Sequence, residues 1–296
     1  MQLVHLTTAL ALVMGLSGCV SNSGLREGDL QPVTIAFDLV ANGHSARCGA
    51  PLGALGSDAK RATLRDARFY VQDVALVQAD GRRIPIVLAP NDWQNDQVAL
   101  LDFEDATGTC AGGTPATNAV VTGKVPAGRY TGLTFTVGVP PSLNHTSTEL
   151  EAAPLDIAAM GWSWQAGRKF AKIEIDPEDG VTKLDSSRSA SWYVHLGSTG
   201  CTGNPVTGQT VSCLRSNRLP VMLERFDPVS QQVVLDLTSL FQSSHISEDR
   251  GGAVGCMSGP TDPECGPIFE RLGLSLANGK PDMSGRSSIF TAGTKP

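Results

Sequence analysis

Aromatic residues are scarce in this chain of 296 residues, at 5%, and charged residues make up only 18%. The low charge and a hydrophobic content of 41% exclude an intrinsically disordered chain, which combines low hydrophobicity with high net charge. No internal run reaches the roughly 18 apolar residues that a membrane span needs. The chain also lacks a cluster of Lys or Arg and has a net charge of −6, which argues against a nucleic-acid partner.

Standard enzyme signatures are also absent. The sequence contains no G-x-S-x-G, no H-E-x-x-H, no Walker loop and no G-x-G-x-x-G. The acidic run 102–105 could form a calcium site, or it could be a solvated turn at the end of a strand; its spacing excludes an EF-hand. The chain is instead rich in Gly (32) and Pro (18), which favours short strands and many turns.

The N-terminus is typical of an exported protein. A short apolar run, Leu3–Leu16, leads into Leu16-Ser17-Gly18-Cys19, which looks like a bacterial lipobox. We expect residues 1–18 to be a lipoprotein signal peptide, 19–32 a lipidated tether that starts at Cys19, and 33–296 a single β-rich domain. Acyl chains on Cys19 would hold the protein on a membrane surface, in the periplasm or at the outer membrane. A plain secretory signal is the alternative; it changes the anchoring and leaves the export argument intact.

Cysteine usage agrees with export. Of the seven cysteines, six follow Cys19, and an even number in an exported chain indicates three disulfides. Sequence proximity favours Cys201–Cys213 and Cys256–Cys265, which leaves Cys48–Cys110. A thiolate metal site is the alternative, but the chain has no C-x-x-C pair and the periplasm oxidises thiols.

Alternation of apolar and polar residues predicts many strands. It recurs over Val33–Phe37, Leu133–Val137, Leu219–Leu223 and Val233–Leu237. We expect the last two segments to pair as a hairpin around the turn at 226–228. In the segment 69–77 the apolar phase shifts, which predicts a β-bulge near Gln72 and Asp73.

Helix signals are few and short. Pro267–Leu272, followed by Gly273, predicts a short helix, and 238–242 predicts a further helical turn. These patterns indicate a mainly β fold: an antiparallel β-sandwich or barrel-like domain with a few short helices, stapled by disulfides. Its long loops are expected at 40–62, 139–167 and 240–265.

Histidines and tryptophans are the residues most open to a functional interpretation. His195 ends a strand-like segment that leads to Cys201, and His145 lies in the loop that follows the strand through Phe135. Each could equally be an ordinary core or surface histidine. Trp162 and Trp164 project from one face of an extended chain, a pattern typical of packing or of a carbohydrate platform.

Several ordered segments resemble one family. They are Arg68-Phe69-Tyr70-Val71-Gln72-Asp73-Val74, Leu100-Leu101-Asp102-Phe103-Glu104-Asp105 with Cys110 and Ala116-Thr117-Asn118, Leu143-Asn144-His145, Trp162-Ser163-Trp164-Gln165-Ala166-Gly167, His195-Leu196-Gly197-Ser198-Thr199-Gly200-Cys201, and Gly255-Cys256-Met257-Ser258-Gly259-Pro260 with Asp262-Pro263 and Cys265. Together, in this order, they resemble the MbnP family, also described as the metallo-mystery-pair four-Cys-motif proteins.

The resemblance implies an exported copper-binding protein that works with a MauG-like dihaem cytochrome c peroxidase family enzyme. In the family this partner converts a tryptophan to kynurenine, and the modified residue supports copper binding together with histidines. Carried over by motif, the resemblance implies His145 and His195 as copper ligands, with His44 as a further candidate. It implies Trp162 or Trp164 as the oxidised residue, and another tryptophan such as Trp192 is the alternative position.

The leading hypothesis is therefore a non-enzymatic copper-binding lipoprotein for copper uptake or handling. Imidazole suits copper in either oxidation state, whereas an intact indole offers only an N–H donor and no ligand lone pair. One alternative is a copper-dependent redox enzyme with an open coordination position next to Met160 or Met257. Another is a metal-free binding module in which Trp162 and Trp164 form a ligand or carbohydrate platform.

Overall fold

The computed structural model describes residues 29–163, 165–209, 211–282 and 287–296. The strands are β1 (Leu30–Ala41), β2 (His44–Ser45), β3 (Pro51–Leu55), β4 (Lys60–Gln78), β5 (Arg83–Pro85), β6 (Val87–Leu88), β7 (Val98–Asp102), β8 (Val120–Pro126), β9 (Tyr130–Val137), β10 (Gly161–Ser163), β11 (Gly167–Pro177), β12 (Val181–Lys183), β13 (Arg188–Ser189), β14 (Trp192–Gly197), β15 (Thr199–Thr202), β16 (Ser212–Arg215), β17 (Leu219–Leu223), β18 (Gln231–Asp236), β19 (Glu248–Asp249), β20 (Gly255–Cys256) and β21 (Phe290–Thr294). The helices are α1 (Pro141–Asn144), α2 (Leu237–Phe241) and α3 (Cys265–Leu272), with single 3-10 turns at Gly108–Cys110, Ala158–Met160 and Pro205–Thr207.

Two sheets make up most of the fold. The larger sheet runs in the order β17–β9–β4–β11–β14–β20, with β3, β5 and β7 also along β4 and with β10 along β11. The smaller sheet runs β21–β18–β1–β8–β6, with β2 beside β1. Strand β4 has 19 residues, so one strand pairs with several partners along its length. Minor ladders join β13–β12–β19 and β15–β16.

Aromatic rings from both sheets meet in the core. Phe37 of the smaller sheet contacts Phe69 and Phe135 of the larger sheet, with ring centroids 6.1 and 5.6 Å apart. Phe290 of the smaller sheet contacts the same two rings at 5.9 and 5.5 Å, and all four contacts are edge-to-face. The predicted mainly β, sandwich-like fold is confirmed, although β1 and β18 pair in parallel rather than antiparallel.

The predicted β-bulge is confirmed in β4. The register between β4 and β9 shifts between Gln72 and Ala75, and Asp73 lies in the left-handed region with a φ of 54°. The extra residue moves the following apolar side chains to the face that the core needs, so Val74 and Leu76 are buried.

The predicted hairpin of residues 219–223 with 233–237 is wrong. Strand β17 pairs with β9 in the larger sheet, whereas β18 lies between β1 and β21 in the smaller sheet. The connecting residue Phe226 is buried and donates its backbone N–H to Thr131 of β9, so the chain stays beside β9 before it crosses to the other sheet. Alternation shows which face of a strand is buried, but it does not specify the neighbouring strand.

The helix predictions agree with the structure. In α3 the side chains of Ile268 and Leu272 are buried, and Gly273 ends the helix with a φ of 69°. The predicted turn at 238–242 is α2, which begins one residue earlier. Strand β1 begins at Leu30, so the last three residues that we assigned to the tether belong to a strand instead. The described residues include no helix long and apolar enough to cross a membrane.

The three expected disulfides are present with the expected pairing. Cys48–Cys110 ties the loop after β2 to the turn after β7, Cys201–Cys213 joins β15 to β16, and Cys256–Cys265 joins β20 to α3. Two of them therefore brace the segments that follow β14, next to the region where the sequence places its functional residues.

Candidate metal centre

Strand β14 presents His195 on the outer face of the larger sheet. Trp192, Val194 and Leu196 point into the core and are buried, and the alternate residues Tyr193 and His195 point the other way. The outer face is nevertheless shielded there, because His195 is only 6% exposed. Its ring centroid lies 5.7 Å from that of Tyr193.

A carboxylate holds one nitrogen of the His195 ring. His195 Nε2 lies 2.7 Å from Glu174 Oε1, and Lys172 Nζ lies 2.9 Å from the same oxygen. Burial opposes the charged form of Glu174, but the hydrogen bond from His195 and the Lys172 charge prevail and lower its pKa to about 2. Burial also lowers the pKa of His195, against the opposite effect of Glu174. Burial therefore favours the neutral imidazole beside the ionised Glu174 carboxylate.

The other ring nitrogen of His195 is suited to a metal ion. A carboxylate only accepts hydrogen bonds, so the proton of the neutral ring is on Nε2 and Nδ1 has a lone pair. Nδ1 is buried and has no hydrogen-bond partner among the described residues. A buried, oriented lone pair with a carboxylate behind the ring is the usual arrangement of a metal-binding histidine. His195 therefore fits copper, which accepts imidazole nitrogen.

His145 lies at the C-terminal end of α1, in the long connection between β9 and β10. It is half-buried, and its Nε2 lies 3.0 Å from Asn144 Nδ2 and 3.5 Å from Cys213 Sγ. The Asn144 side chain in turn accepts a hydrogen bond from the backbone N–H of Arg168 at 3.1 Å. Gly167 permits this approach, because a Cβ at that position would lie 2.6 Å from Asn144 Nδ2.

His145, Cys201 and Cys213 form a group of three close side chains, with ligand atoms within 4.8 Å of one another. The two cysteines are joined in a disulfide, so they offer no thiolate. Of this group only the imidazole is an effective ligand for a metal ion. The disulfide fixes the β15–β16 ladder against the His145 ring.

A buried arginine holds the His145 loop in place. Arg168, only 1% exposed, donates hydrogen bonds to the carbonyl oxygens of Leu143 and Leu155 and to the Thr146 hydroxyl. Burial lowers its pKa, with Tyr70 and Glu151 acting in the opposite direction. One guanidinium thus connects three points of the loop to the start of β11 and sets the position of His145.

Trp162 joins the two histidine-bearing segments. The edge of its indole lies over Gly197, where a Cβ would be 2.5 Å from Trp162 Cζ3. Gly197 is two residues, or about 7 Å, beyond His195 on the same face of β14. Trp162 also lines an open cavity of about 760 Å³ together with His145 and Arg168. Lys169 fixes the entry to β10 by donating to the Ala159 and Gly161 carbonyl oxygens.

The structure brings some of the predicted residues together and leaves others apart. His145 and Trp162 line one cavity, whereas His195, on the outer face of β14, is not among the residues that line it. His44 is exposed in β2 at the end of β1 and is not among the lining residues either. Trp164 and Cys19 lie outside the described residues, so their predicted roles stay predictions.

Other predicted residues are packed in the interior. Met160 is fully buried in the hydrophobic core and Trp192 packs against Phe241, with ring centroids 5.7 Å apart. The acidic residues Asp102 and Glu104 are also buried; Glu104 faces Arg68 and accepts hydrogen bonds from Thr114. This environment is that of an internal ion-pair cluster, not of the solvated turn considered above.

Sequence reasoning did not identify Glu174, Lys172 or Arg168 as parts of this region. In β11 the polar residues Lys172 and Glu174 alternate with Ile173, and such alternation is a usable sequence signal for a polar outer face. Their contact with His195 depends on the pairing of β11 with β14, and the sequence does not specify that pairing.

Replacing Gly197 with alanine is expected to displace Trp162. The new Cβ would overlap the indole and would approach the Arg168 carbonyl oxygen at 2.9 Å. We expect a loss of about 1–3 kcal/mol in the free energy of unfolding and a change in tryptophan fluorescence. Gly112→Ala is the matched control, because a Cβ there meets nothing within 4 Å. A Gly197→Ala variant with the parent's melting temperature and emission spectrum would refute this packing.

Comparison with known proteins identifies relatives over most of the chain. The MbnP family model matches residues 30–258. The solved structure of MbnP from Methylosinus trichosporium is similar with a TM-score of 0.85 and 49% sequence identity, and the match covers 90% of this chain and 99% of that chain. The search of curated proteins found no match.

Proposed function

Because this chain belongs to the MbnP family, we propose that it is an exported copper-binding lipoprotein that serves copper uptake or handling and is not itself an enzyme. His145 and His195 are its proposed histidine ligands. A MauG-like dihaem enzyme is the proposed partner, and it converts Trp162 to kynurenine. The lipid anchor is proposed at Cys19, so that the domain works in the periplasm or on the outer membrane.

The observation that carries this proposal is the position of Trp162. Its indole packs over Gly197 of the His195 strand, and Trp162 also lines a cavity together with His145. Segments that are distant in sequence therefore meet at one tryptophan. A metal ion held by two imidazoles needs further ligands, and the packing of Trp162 against the His195 strand and beside the His145 cavity supports Trp162 as the side chain that supplies one after modification.

Modification changes what Trp162 can offer a metal ion. Ring opening breaks the C2–C3 bond of the indole and adds one oxygen atom from water to each of the two carbons. The four electrons released pass to the oxidised haems of the partner, the four protons pass to solvent, and hydrolysis by a further water then releases C2 as formate. The indole N–H becomes an aromatic amine, and C3 becomes a ketone carbon. Both groups carry lone pairs that the intact indole lacks.

The surroundings of Trp162 support access by a protein partner. Leu150 and Val206 line the cavity and are 89% and 72% exposed, and Leu214 beside the Cys201–Cys213 disulfide is 78% exposed. Large apolar side chains grouped at a cavity rim are typical of protein–protein contacts. Half-buried Trp162 is thus close to a surface on which a partner could bind, whereas Trp192 is enclosed in the core.

The test is to produce the protein with and without the partner enzyme, map its peptides by mass and titrate it with copper. We expect oxidation to exchange one carbon for one oxygen at position 162 and to raise copper affinity by about 10-fold. Trp162→Phe should show neither effect. Trp164→Phe is the matched control, since it removes the neighbouring indole and should retain both effects.

Two results would contradict the proposal. If Trp164→Phe alone abolishes the mass change, the modified residue is not Trp162. If parent protein binds copper with equal affinity before and after oxidation, kynurenine is not part of the site.

A further inference from the structure

Three neighbouring strands of the larger sheet align a set of charged side chains on its outer face. The register places His195 of β14 opposite Lys172 of β11, and Lys172 opposite Arg68 of β4. Two residues further along β11, on the same face, Glu174 lies opposite Asp66 of β4. Directly opposite residues on paired strands are close enough to interact, and so are diagonal neighbours with long side chains.

Short contacts link this set into a continuous chain. Glu174 Oε1 lies 2.7 Å from His195 Nε2 and 2.9 Å from Lys172 Nζ. Lys172 also contacts Asp66, which binds Arg68. The side chains of these residues are between 3% and 13% exposed. A buried chain of this kind is rigid, because each charge would be left uncompensated if its neighbour moved.

The arrangement determines which nitrogen of His195 remains available. The carboxylate occupies Nε2, and the only atom of the ring that could bind a metal ion is then Nδ1, which is buried and has no partner among the described residues. The ammonium group of Lys172 contacts the carboxylates of both Glu174 and Asp66. This bridge keeps the Glu174 carboxylate in place.

We propose that Glu174 and Lys172 are positioning residues that fix His195 as its Nε2–H tautomer and direct Nδ1 towards the metal ion. Glu174 orients the ring and fixes the proton, and Lys172 fixes Glu174. The identity of the metal rests on the proposed function above; the tautomer and the ring orientation do not depend on it.

The first test needs no copper. Nitrogen-15 NMR of histidine-labelled protein at neutral pH reports which ring nitrogen carries the proton. We expect His195 to be protonated at Nε2 only, with a slowly exchanging N–H signal, whereas exposed His44 and His245 show rapidly exchanging ring protons. Glu174→Gln should keep the signal, because its amide oxygen can accept from the same N–H. Glu174→Ala should lose the slow exchange.

The second test is copper titration of the same variants. Removal of a group that orients a ligand histidine typically costs about 10- to 100-fold in metal affinity. We expect the loss of copper affinity in Glu174→Ala to fall in that range. Lys172→Met and Glu174→Gln should each lose less than about 10-fold in copper affinity. The matched control is Glu178→Ala, since Glu178 directly follows the same strand and its exposed carboxylate lies 3.8 Å from Arg61.

The outcomes separate this inference from the proposed function. A proton on Nδ1, or a doubly protonated ring, would overturn the inference even in a protein that binds copper. Unchanged affinity in Glu174→Ala would overturn it as well. A parent protein that shows the Nε2–H tautomer but binds no copper would sustain the positioning role and would refute the copper proposal.

Discussion

Replacing His195 with alanine is expected to lower copper affinity by at least about 100-fold, because the variant loses a ligand atom and not only its orientation. The parent residue presents a buried Nδ1 lone pair on a ring that Glu174 holds at 2.7 Å. Neither neighbour can replace that atom, since Tyr193 carries a phenol and Lys172 already bridges Asp66 and Glu174. Isothermal titration or competition with a copper chelator measures the loss.

Matched histidine variants show whether this loss is specific. His245→Ala removes an exposed imidazole that lies 3.5 Å from Asp58, and His44→Ala removes the exposed imidazole of β2. We expect both to bind copper as the parent does, whereas His145→Ala should weaken binding as His195→Ala does. Equal affinity in all four variants would refute the copper site, and a loss confined to His44→Ala would move the site away from the Trp162 cavity.

The His195→Ala variant should remain folded. Lys172 stays 2.9 Å from Glu174 after the imidazole is removed, so the buried carboxylate keeps a cationic partner. A thermal melt close to that of the parent would show that weakened copper binding comes from the lost ligand and not from unfolding.

Replacing Arg168 with methionine is expected to produce the largest loss of stability among the variants considered. The substitution leaves the carbonyl oxygens of Leu143 and Leu155 without their donor in a buried place. Each unsatisfied buried group is worth about 1–3 kcal/mol, so the free energy of unfolding should fall by about 3 kcal/mol. The melting temperature of a domain of this size should fall by roughly 6–12 °C.

Two further arginine variants test the explanation. Arg168→Lys keeps a positive charge, but the single ammonium nitrogen of lysine cannot reach all three acceptors. Its melting temperature should therefore lie between those of the parent and of Arg168→Met. Arg225→Met removes an exposed arginine and should change the melting temperature little. If Arg168→Met has the same melting temperature as the parent, the stability of the loop from 143 to 155 does not depend on this guanidinium.

Displacement of that loop has a functional consequence as well. Arg168 fixes the segment that carries His145, through the Leu143 carbonyl and the Thr146 hydroxyl. We therefore expect Arg168→Met to weaken copper binding although its side chain is not a proposed ligand. The same variant should keep the ring orientation of His195, which depends on Glu174.

The local features of this chain follow from its sequence because they depend on neighbouring residues. The bulge at Gln72 and Asp73 follows from a shift in alternation, and the end of α3 follows from Gly273. The disulfide pairing follows from the even cysteine count and the short separations of 12 and 9 residues in two of the pairs. For the bulge and for the end of α3, the physical cause lies within a few residues of the feature.

Non-local features required the folded structure. The segments β17 and β18 have the alternation of a hairpin, yet they lie in opposite sheets. His145, Trp162 and His195 could be chosen from motifs, but nothing near them indicates that Arg168 would hold one loop and Glu174 would hold one ring. These contacts arise from the register of β11 with β14 and with β4.

The sequence by itself determined the family, the mainly β fold, the disulfide pairs and the residue types that a copper site would use. Only the tertiary structure decided that His145 and Trp162 face one cavity, that His44 lies outside it, and that Glu174 occupies Nε2 of His195. The reason is that alternation and turn residues record which side of a strand is buried, whereas strand pairing depends on the packing energy of the whole domain. The proposed metal centre, which draws on three separate segments, could therefore be specified only once that pairing was known.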